Sequence, residues 1–426
     1  MLRSMYSGIS GMKNAQTKLD VIGNNIANVN TYGFKKGRVT FQDLMNQTMS
    51  GATTPTENRG GQNAKQIGLG GTIASIDIIS TQGSLQTTGR SLDVAISGDG
   101  YFVVRNGQNE MYTRAGNFYL DSNGSLVDGN GNLIQGYQAD ANGVIDYGGM
   151  TDIVIDSDST MAPRSTSEVT FNGNLKASAP IYDATNATTQ AATADGRVTV
   201  DYSVKDSLGS DIPLKVTFTK TASNSWDTTI SYTDTLGATQ TITGPALSFS
   251  SDGKLDPATV TTLANINLPV NNINPGAVSP QAIDIDFAQI TQFDSSTSAN
   301  INTINGNSEG YLESFTISSS GEINGIYSNG EVQAISQLVM ATFSNAGGLL
   351  SQGGNTFTAS NNSGLPNYGI ANEGRGAIQS GSLEMSNVDL SEEFTEMITA
   401  QRSFQANTRI ITTSDEILQE LVNLKR

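Results

Sequence analysis

The chain has 426 residues and contains neither cysteine nor histidine. Without thiols or imidazoles it has no disulfide staples, no Cys–His or Ser–His nucleophile, and almost none of the donor sets that hold zinc, haem or iron–sulfur clusters. Carboxylate chemistry of the glycosidase kind is the main catalytic option left. Charge is scarce as well: Asp, Glu, Lys and Arg make up 15% of the chain, against roughly 25% in an average globular domain. Proline is missing from residues 1–54 and 367–426, although ten prolines lie between Pro55 and Pro366. No run approaches the roughly 20 apolar residues of a spanning helix, which argues against membrane insertion. The start, Met1-Leu2-Arg3-Ser4-Met5-Tyr6-Ser7-Gly8, is punctuated by polar residues and lacks the apolar stretch of a cleaved secretory signal.

In place of charge there are 45 glycines and abundant Ser, Thr and Asn, the vocabulary of short strands and tight turns. The length allows two to four domains. Charge is uneven. Residues 1–70 hold eight Lys or Arg against three Asp or Glu, whereas residues 71–300 hold ten against twenty-four. A nucleic-acid binder needs clustered basic side chains; here they are scattered and the net charge is −17, so nucleic acid is excluded as a partner. The acidic middle reads as a solvated outer surface. A composition that looks extracellular, without a signal peptide, points to a dedicated export machine.

Both ends show helical periodicity. Leu2, Ile9, Gln16 and Gly23 share one heptad position, and Met5, Met12, Leu19 and Ile26 fill the other. A seam sustained for nearly four heptads argues for a coiled-coil-like helix over Leu2–Val29, about 42 Å long at 1.5 Å per residue. Gly8, Gly11 and Gly23 each weaken it by roughly 0.5–1 kcal/mol relative to Ala. At the other end Leu390, Met397, Phe404, Ile411 and Leu418 recur every seven residues, Phe394 lies within the same stripe, and Ile410, Ile417 and Leu424 repeat beside it. Asp389 reads as the N-cap with Glu392 as the N3 acid, and Lys425 and Arg426 suit the last turn.

Between these ends the chain is β-rich. Leu92-Asp93-Val94-Ala95-Ile96 and Tyr101-Phe102-Val103-Val104 alternate, and hairpin signals follow at Asn123-Gly124, Asp128-Gly129, Asn130-Gly131 and Asn142-Gly143. In a second block the best strands are Val198–Tyr202 and Leu214–Phe218, Trp226 is the expected core aromatic, and five prolines from Pro245 to Pro280 mark a loop-rich return. A third stretch contains Leu312–Ile317. The expected fold is α+β and multidomain: terminal helices pair in a coiled-coil-like base, and nested, mainly antiparallel β domains are inserted between them. The expected division is a discontinuous helical core (1–35 and 385–426), an extended linker region (36–74 and 372–384), a β-rich middle domain (75–163 and 290–371) and a β-rich outer insert (164–289).

No motif carries catalytic, metal or cofactor chemistry. The stretches starting at Asp121 and Asp128 resemble calcium loops, but an EF-hand needs Gly at the sixth position, where Leu126 and Leu133 stand; they read as hairpin turns. No strand pattern precedes Gly68-Leu69-Gly70-Gly71 and no helix follows, so it reads as a flexible connector and not a phosphate loop. Acid pairs are numerous, but nothing selects a catalytic couple. The seams carry the sharper expectation. Two helices bearing Met, Phe, Ile and Leu stripes, with no third helix to cover them, expose more apolar surface than a soluble monomer tolerates. Burial against neighbouring copies resolves this, and contacts between unlike patches that do not close a ring build a helical filament.

The sequence then resembles a known family. Asn24-Asn25-Ile26-Ala27-Asn28-Val29-Asn30-Thr31-Tyr32-Gly33-Phe34-Lys35 is similar to the N-terminal signature of bacterial flagellar rod and hook axial proteins, with Asn25, Asn28, Thr31, Gly33 and Phe34 as its motif positions. Leu92–Phe102 and Tyr112–Phe118 resemble the β motifs of these subunits, and Ser386–Leu390 with Gln401–Asn407 resembles their C-terminal signature. Rod members are shorter; the block at 164–289 resembles the extra outer domain of hook members.

The resemblance implies a structural, non-enzymatic subunit without cofactor, exported unfolded through the flagellar type III apparatus to the extracellular hook without a cleaved signal. It implies a curved homopolymeric tube acting as a universal joint in motility, with terminal helices inside and β domains outside. Implied partners are further identical copies, the rod, the hook cap and the hook–filament junction proteins. The seam residues, Leu2, Met5, Ile9, Met12, Leu19 and Ile26 on one helix and Leu390, Phe394, Met397, Phe404, Ile411 and Leu418 on the other, are expected to hold the assembly together. A distal rod or other axial subunit is the nearest alternative; a β-rich secreted adhesin and a carboxylate glycosidase are more distant ones.

Overall fold

The computed structural model describes residues 2–55, 59–182, 196–256 and 264–423. The side chains of Leu2, Arg3, Ala264, Asn265 and Leu421, and all of Leu424, Lys425 and Arg426, lie outside the described residues. Two compact units are present. The first comprises Met1–Asp156, Phe315–Gly325 and Gln333–Arg426; the second comprises Ser157–Ser314 and Ile326–Val332.

In the first unit, helix α1 spans Leu2–Ala27 and helix α2 spans Leu390–Asn423. Neither contains proline, so both ladders run unbroken. Asp389 caps α2: its Oδ1 accepts the amides of Ser391 (2.8 Å) and Glu392 (3.4 Å), and the first-turn acids Glu392 and Glu393 suit the positive end of the helix dipole. The helices pair antiparallel. Gly8 faces Ile411 and Gly11 faces Asn407, while Lys18 meets Glu396 at 3.2 Å farther along. Ala15, Ile22 and Ala400 are buried in this pairing.

From α1 the chain enters a long antiparallel ribbon. Gly37–Asp43 pairs with Gly71–Ile78, and beyond them Asn46–Ser50 pairs with Lys65–Gly68. A strand therefore does precede Gly68-Leu69-Gly70-Gly71, contrary to the expectation, and the glycines mark the break between two successive strands of the ribbon's returning arm. Gly70 sits at φ +115°, where a Cβ would strike Ser10. The periodicity test missed these strands because every residue of the outer pair is exposed, and without a buried face there is no alternation to read.

The β body of this unit interleaves the two halves of the chain. Tyr101–Asn106 pairs with Asn109–Thr113, with Leu133–Gln138 and with Met340–Thr342. Val94–Ser97 pairs with Ala377–Ser380, and Leu85–Thr87 with Ser382–Glu384. Val94, Ala95, Ile96 and Phe102–Val104 are all fully buried. The alternation expected there is thus absent from the burial pattern, because both faces are covered, which is what a continuous apolar strand signals. The four turn signals give three hairpin turns, because Asp128-Gly129 and Asn130-Gly131 belong to one and the same turn. Asp121, Asp128 and Asp140 each accept the amides two and four residues on, and Gly124, Gly131 and Gly143 supply positive φ.

The second unit is two sheets over one core. Arg197–Lys205, Asp211–Ala222, Ser225–Thr233 and Thr239–Ser248 form an antiparallel meander. The other sheet has the order Ala264–Leu268, Gln281–Thr291, Glu168–Asn174, Asn300–Ile304, and its middle pair is parallel. Phe171, from the second sheet, lies edge-on to Phe218 of the meander and stacks on Phe287 at 5.3 Å. Trp226 is fully buried in the same core. Pro245 belongs to the outermost meander strand and not to a loop; an edge is where a strand tolerates a residue without an amide hydrogen. Pro257 lies outside the described residues.

Candidate functional site

Among the described residues no group of three or more Asp, Glu, His or Cys could hold a metal. The carboxylates of Asp121 and Asp128, the calcium-loop lookalikes, are already occupied by backbone amides. The distinctive surfaces are on the terminal helices.

Met5, Ile9, Met12, Leu19 and Ile26 on α1 are half-buried, as are Met397, Phe404, Ile411 and Leu418 on α2; Leu390 and Phe394 are exposed. The helix pair therefore half-covers the seams within one chain, as Met12 Sδ, 3.7 Å from Thr408 Oγ1, illustrates. What remains uncovered lies on either side of the α2 row formed by Glu393, Ala400, Phe404, Ile411 and Leu418. Phe394 stands one residue, about 100° of rotation, to one side, and Ile410 and Ile417 stand one residue to the other. Phe394 is 50% exposed and Ile398 57%; Ile410, Ile417 and Val422 on α2 and Tyr6 on α1 are exposed too. Apolar surface thus extends along both flanks of the row by which α2 packs. Each square ångström buried there by another molecule contributes roughly 25 cal/mol.

The signature residues do something different: they clasp the two ends of the chain together. Asn25 is buried, and its side chain behaves like a strand partner. Its Oδ1 accepts the Gly37 amide and its Nδ2 donates to the Gly37 carbonyl, both at 2.9 Å, with a further bond to Glu393 at 3.2 Å. Asn28 closes the turn after α1 through the Asn24 carbonyl and the Thr31 hydroxyl (2.9 and 3.1 Å). Gly33, at φ +70°, lies on the backbone at Ala115, where a Cβ would come within 2.7 Å of the amide nitrogen, and its own amide donates to the Glu384 carbonyl (2.8 Å). The half-buried Phe34 offers its carbonyl to the Asn387 amide at 3.4 Å. Asn387 in turn accepts the Lys36 amide (2.7 Å) and donates to the carbonyls of Ile79 and Thr81.

At the centre sits a charge cluster not singled out from the sequence. Glu384, with Lys35 and Arg114, is almost wholly buried. Glu384 Oε1 accepts Lys35 Nζ at 2.7 Å and the Gly83 amide at 2.8 Å, and Oε2 accepts Arg114 Nε at 2.7 Å. Lys35 also donates to the Thr81 carbonyl (2.9 Å), and Arg114 to the carbonyls of Gly98 and Gly100. Burial pulls the Lys35 ammonium below its ordinary value, against the stabilising pair with Glu384. Burial likewise raises the Glu393 carboxyl, opposed by the Asn25 bond and by Lys36. The available signal was indirect: Lys35 and Arg114 each lie inside a quoted motif, in a chain otherwise poor in charge.

Four family models match. "Flagella basal body rod protein" covers residues 5–35, and "Flagellar hook protein FlgE/F/G D1 domain" covers 95–200. "Flagellar basal body protein FlaE D2 domain" covers 172–307, and "Flagellar basal body rod FlgEFG protein C-terminal" covers 379–424. The chain is 42% identical to the flagellar hook protein FlgE of Borreliella burgdorferi over 448 aligned residues, covering the whole of both chains. It is 35% identical to the flagellar basal-body rod protein FlgG of Bacillus subtilis, again over the full length of both. The crystal structure of Helicobacter pylori flagellar hook protein FlgE2 shares the fold with a TM-score of 0.53 at 13% identity, covering 70% of this chain and all of that one. With both terminal signatures, the inserted second unit and full-length identity of this order, the chain belongs to the flagellar hook protein family.

Proposed function

We propose that copies of this hook-family subunit polymerise into a curved tube that joins the flagellar rod to the filament and transmits torque as a universal joint. The observation that carries the reading is the pair of apolar flanks on α2, Phe394 with Ile398 and Ile410 with Ile417, left exposed after the chain's own helices have packed. A soluble monomer gains nothing from such flanks, whereas contacts to two different neighbours build a non-closing helical array. The seam residues on both helices form the cohesive inner layer in this reading, and the helical core of residues 1–35 and 385–426 lines the tube. Residues 36–74 and 372–384 link it to a middle layer of 75–163 and 290–371, and 164–289 forms the outer layer. A universal joint must resist twist while bending cheaply; directional polar bonds inside each subunit and non-directional apolar contacts between subunits divide that labour.

Export through the flagellar type III apparatus, growth beneath a hook cap, and contacts with rod and junction proteins complete the reading. Expression of the chain in a motile bacterium lacking its own hook gene tests it. Curved tubes of uniform diameter between rod and filament on electron micrographs are the expected result. Straight tubes assign the chain to the distal rod, and monomers alone overturn assembly altogether.

A further inference from the structure

The helical base leaves through two short stretches, residues 28–36 between α1 and the ribbon and 385–389 between the β body and α2. Two single-chain crossings side by side are a natural swivel, because backbone torsions along either can turn freely unless something braces them. We propose that Glu384 is the brace: a positioning residue that locks the first crossing to the β body at the root of the second, so that twist delivered to the terminal helices reaches the β strands undiminished. The inference rests on the hook reading above.

The geometry is specific. The Glu384 carboxylate holds Lys35 at the end of the first crossing and Arg114 within the β body, together with the Gly83 amide. Its backbone carbonyl takes the Gly33 amide, and it stands immediately before the second crossing. Lys35 and Arg114 then spread the attachment to the carbonyls of Thr81, Gly98 and Gly100. One buried side chain thus fastens five segments of the chain. Rotation of the first crossing against the β body would separate Lys35 from Glu384 in a site that water does not reach, where an unpaired charge is strongly disfavoured. The second crossing, which none of the three charges enters, is tied back at Asn387 to Phe34, Lys36, Ile79 and Thr81. Greasy contacts would let the same surfaces slide; this cluster does not.

The experiment uses the full chain as the hook gene in a strain lacking its own. Wild type is compared with Glu384→Gln, which keeps the shape and one of the two acceptor oxygens but removes the charge, and with Arg114→Lys, which keeps a cation but loses the fork to Gly98 and Gly100. Hook formation on micrographs reports the hook reading; swimming speed in plain and in methylcellulose-thickened medium reports the joint. Glu384→Gln hooks of normal length should drive cells at near wild-type speed in plain medium and several-fold more slowly than wild type under viscous load. Hydrogen exchange in isolated hooks should rise together at residues 31–36, 79–83 and 98–100. Variant hooks that carry every load as wild type does, or exchange that rises only at 382–386, overturn the proposal. If Glu384→Gln forms no hooks, Arg114→Lys decides: load-sensitive hooks support the brace, while load-tolerant hooks or none overturn it. Absence of hooks from the wild-type chain overturns the hook reading itself.

Discussion

Gly11 of α1 lies so close to Asn407 of α2 that a Cβ added to the glycine would stand 2.8 Å from the asparagine amide nitrogen. Read from sequence, Gly11 only weakens a helix; in the structure it is the place where two helices touch, and Gly8 does the same against Ile411 at 3.4 Å. The propensity cost of about 1 kcal/mol per glycine is offset by the close approach that lets Ala15, Ile22 and Ala400 be buried. Gly23 is different, with no atom within 4 Å of its added Cβ.

These glycines therefore respond oppositely to substitution. Gly11→Leu should force the helices apart and eliminate hooks. Gly23→Ala should make isolated hooks more heat-resistant, by up to about 1 kcal/mol per subunit. Thermal dissociation followed by light scattering measures both, and a Gly11→Leu hook of normal stability would contradict the pairing.

The seam and the flanks make separable demands. Met12→Asp or Phe404→Asp places a charge between the chain's own helices, at a cost of several kcal/mol. Either should abolish assembly while both β units stay folded. Phe394→Ser with Ile398→Ser touches only exposed positions, so it should leave the helix pair intact yet still prevent tube formation. Micrographs showing normal hooks from the double variant would remove the flanks from the assembly.

Asn25→Leu should be among the most damaging single changes in the first unit. It deletes two bonds to Gly37 and the donor to Glu393, about 3 kcal/mol at roughly 1 kcal/mol per hydrogen bond. The loss should appear as faster hydrogen exchange at residues 36–38 in isolated hooks, and unchanged exchange there would count against the clasp.

Glu393 supplies a pH dependence whose sign follows from its raised carboxyl. Desolvation favours the protonated form, so folding tightens proton binding. The stability it contributes is fully present below the unfolded carboxylate range and is lost as pH climbs through the higher folded value. Glu393→Gln mimics the protonated state. It should stabilise hooks at neutral pH relative to wild type, and the advantage should fade on acidification. Heat-dissociation curves at the two pH values check this, and an advantage that grows in acid would reverse the assignment.

Trp226 is the only tryptophan in the chain and is fully buried, so its emission reports the second unit alone. Trp226→Ala should destabilise that unit by about 3–5 kcal/mol. Met12→Asp should leave the fluorescence-monitored unfolding midpoint unchanged. A midpoint that shifts with Met12 would mean that the two units do not melt independently.

Sequence reading succeeded where one physical rule acted alone. The heptads of α1 and α2, the Asp389 cap, the carboxylate turns at Asp121 and Asp128 and the burial of Trp226 each follow from local chemistry. It failed where the decisive partner lay far along the chain. Glu384 is 349 residues from Lys35 and 270 from Arg114, and no local pattern ties them. Val94–Ile96 looked one-faced, yet all three are fully buried, and the strand paired with them, Ala377–Ser380, comes from the opposite half of the sequence. The exposed ribbon at Asn46–Ser50 carried no burial signal at all.

That interleaving has a temporal consequence. Leu85–Thr87 and Val94–Ser97 find their partners only in Ser382–Glu384 and Ala377–Ser380, so a polypeptide threaded through a narrow conduit cannot close these two strand pairs until nearly every residue has emerged, whichever terminus leads. Ser157–Ser314 form one nested stretch and can fold beforehand. The order of the strands thus acts as a clock, withholding the mature shape until delivery is complete.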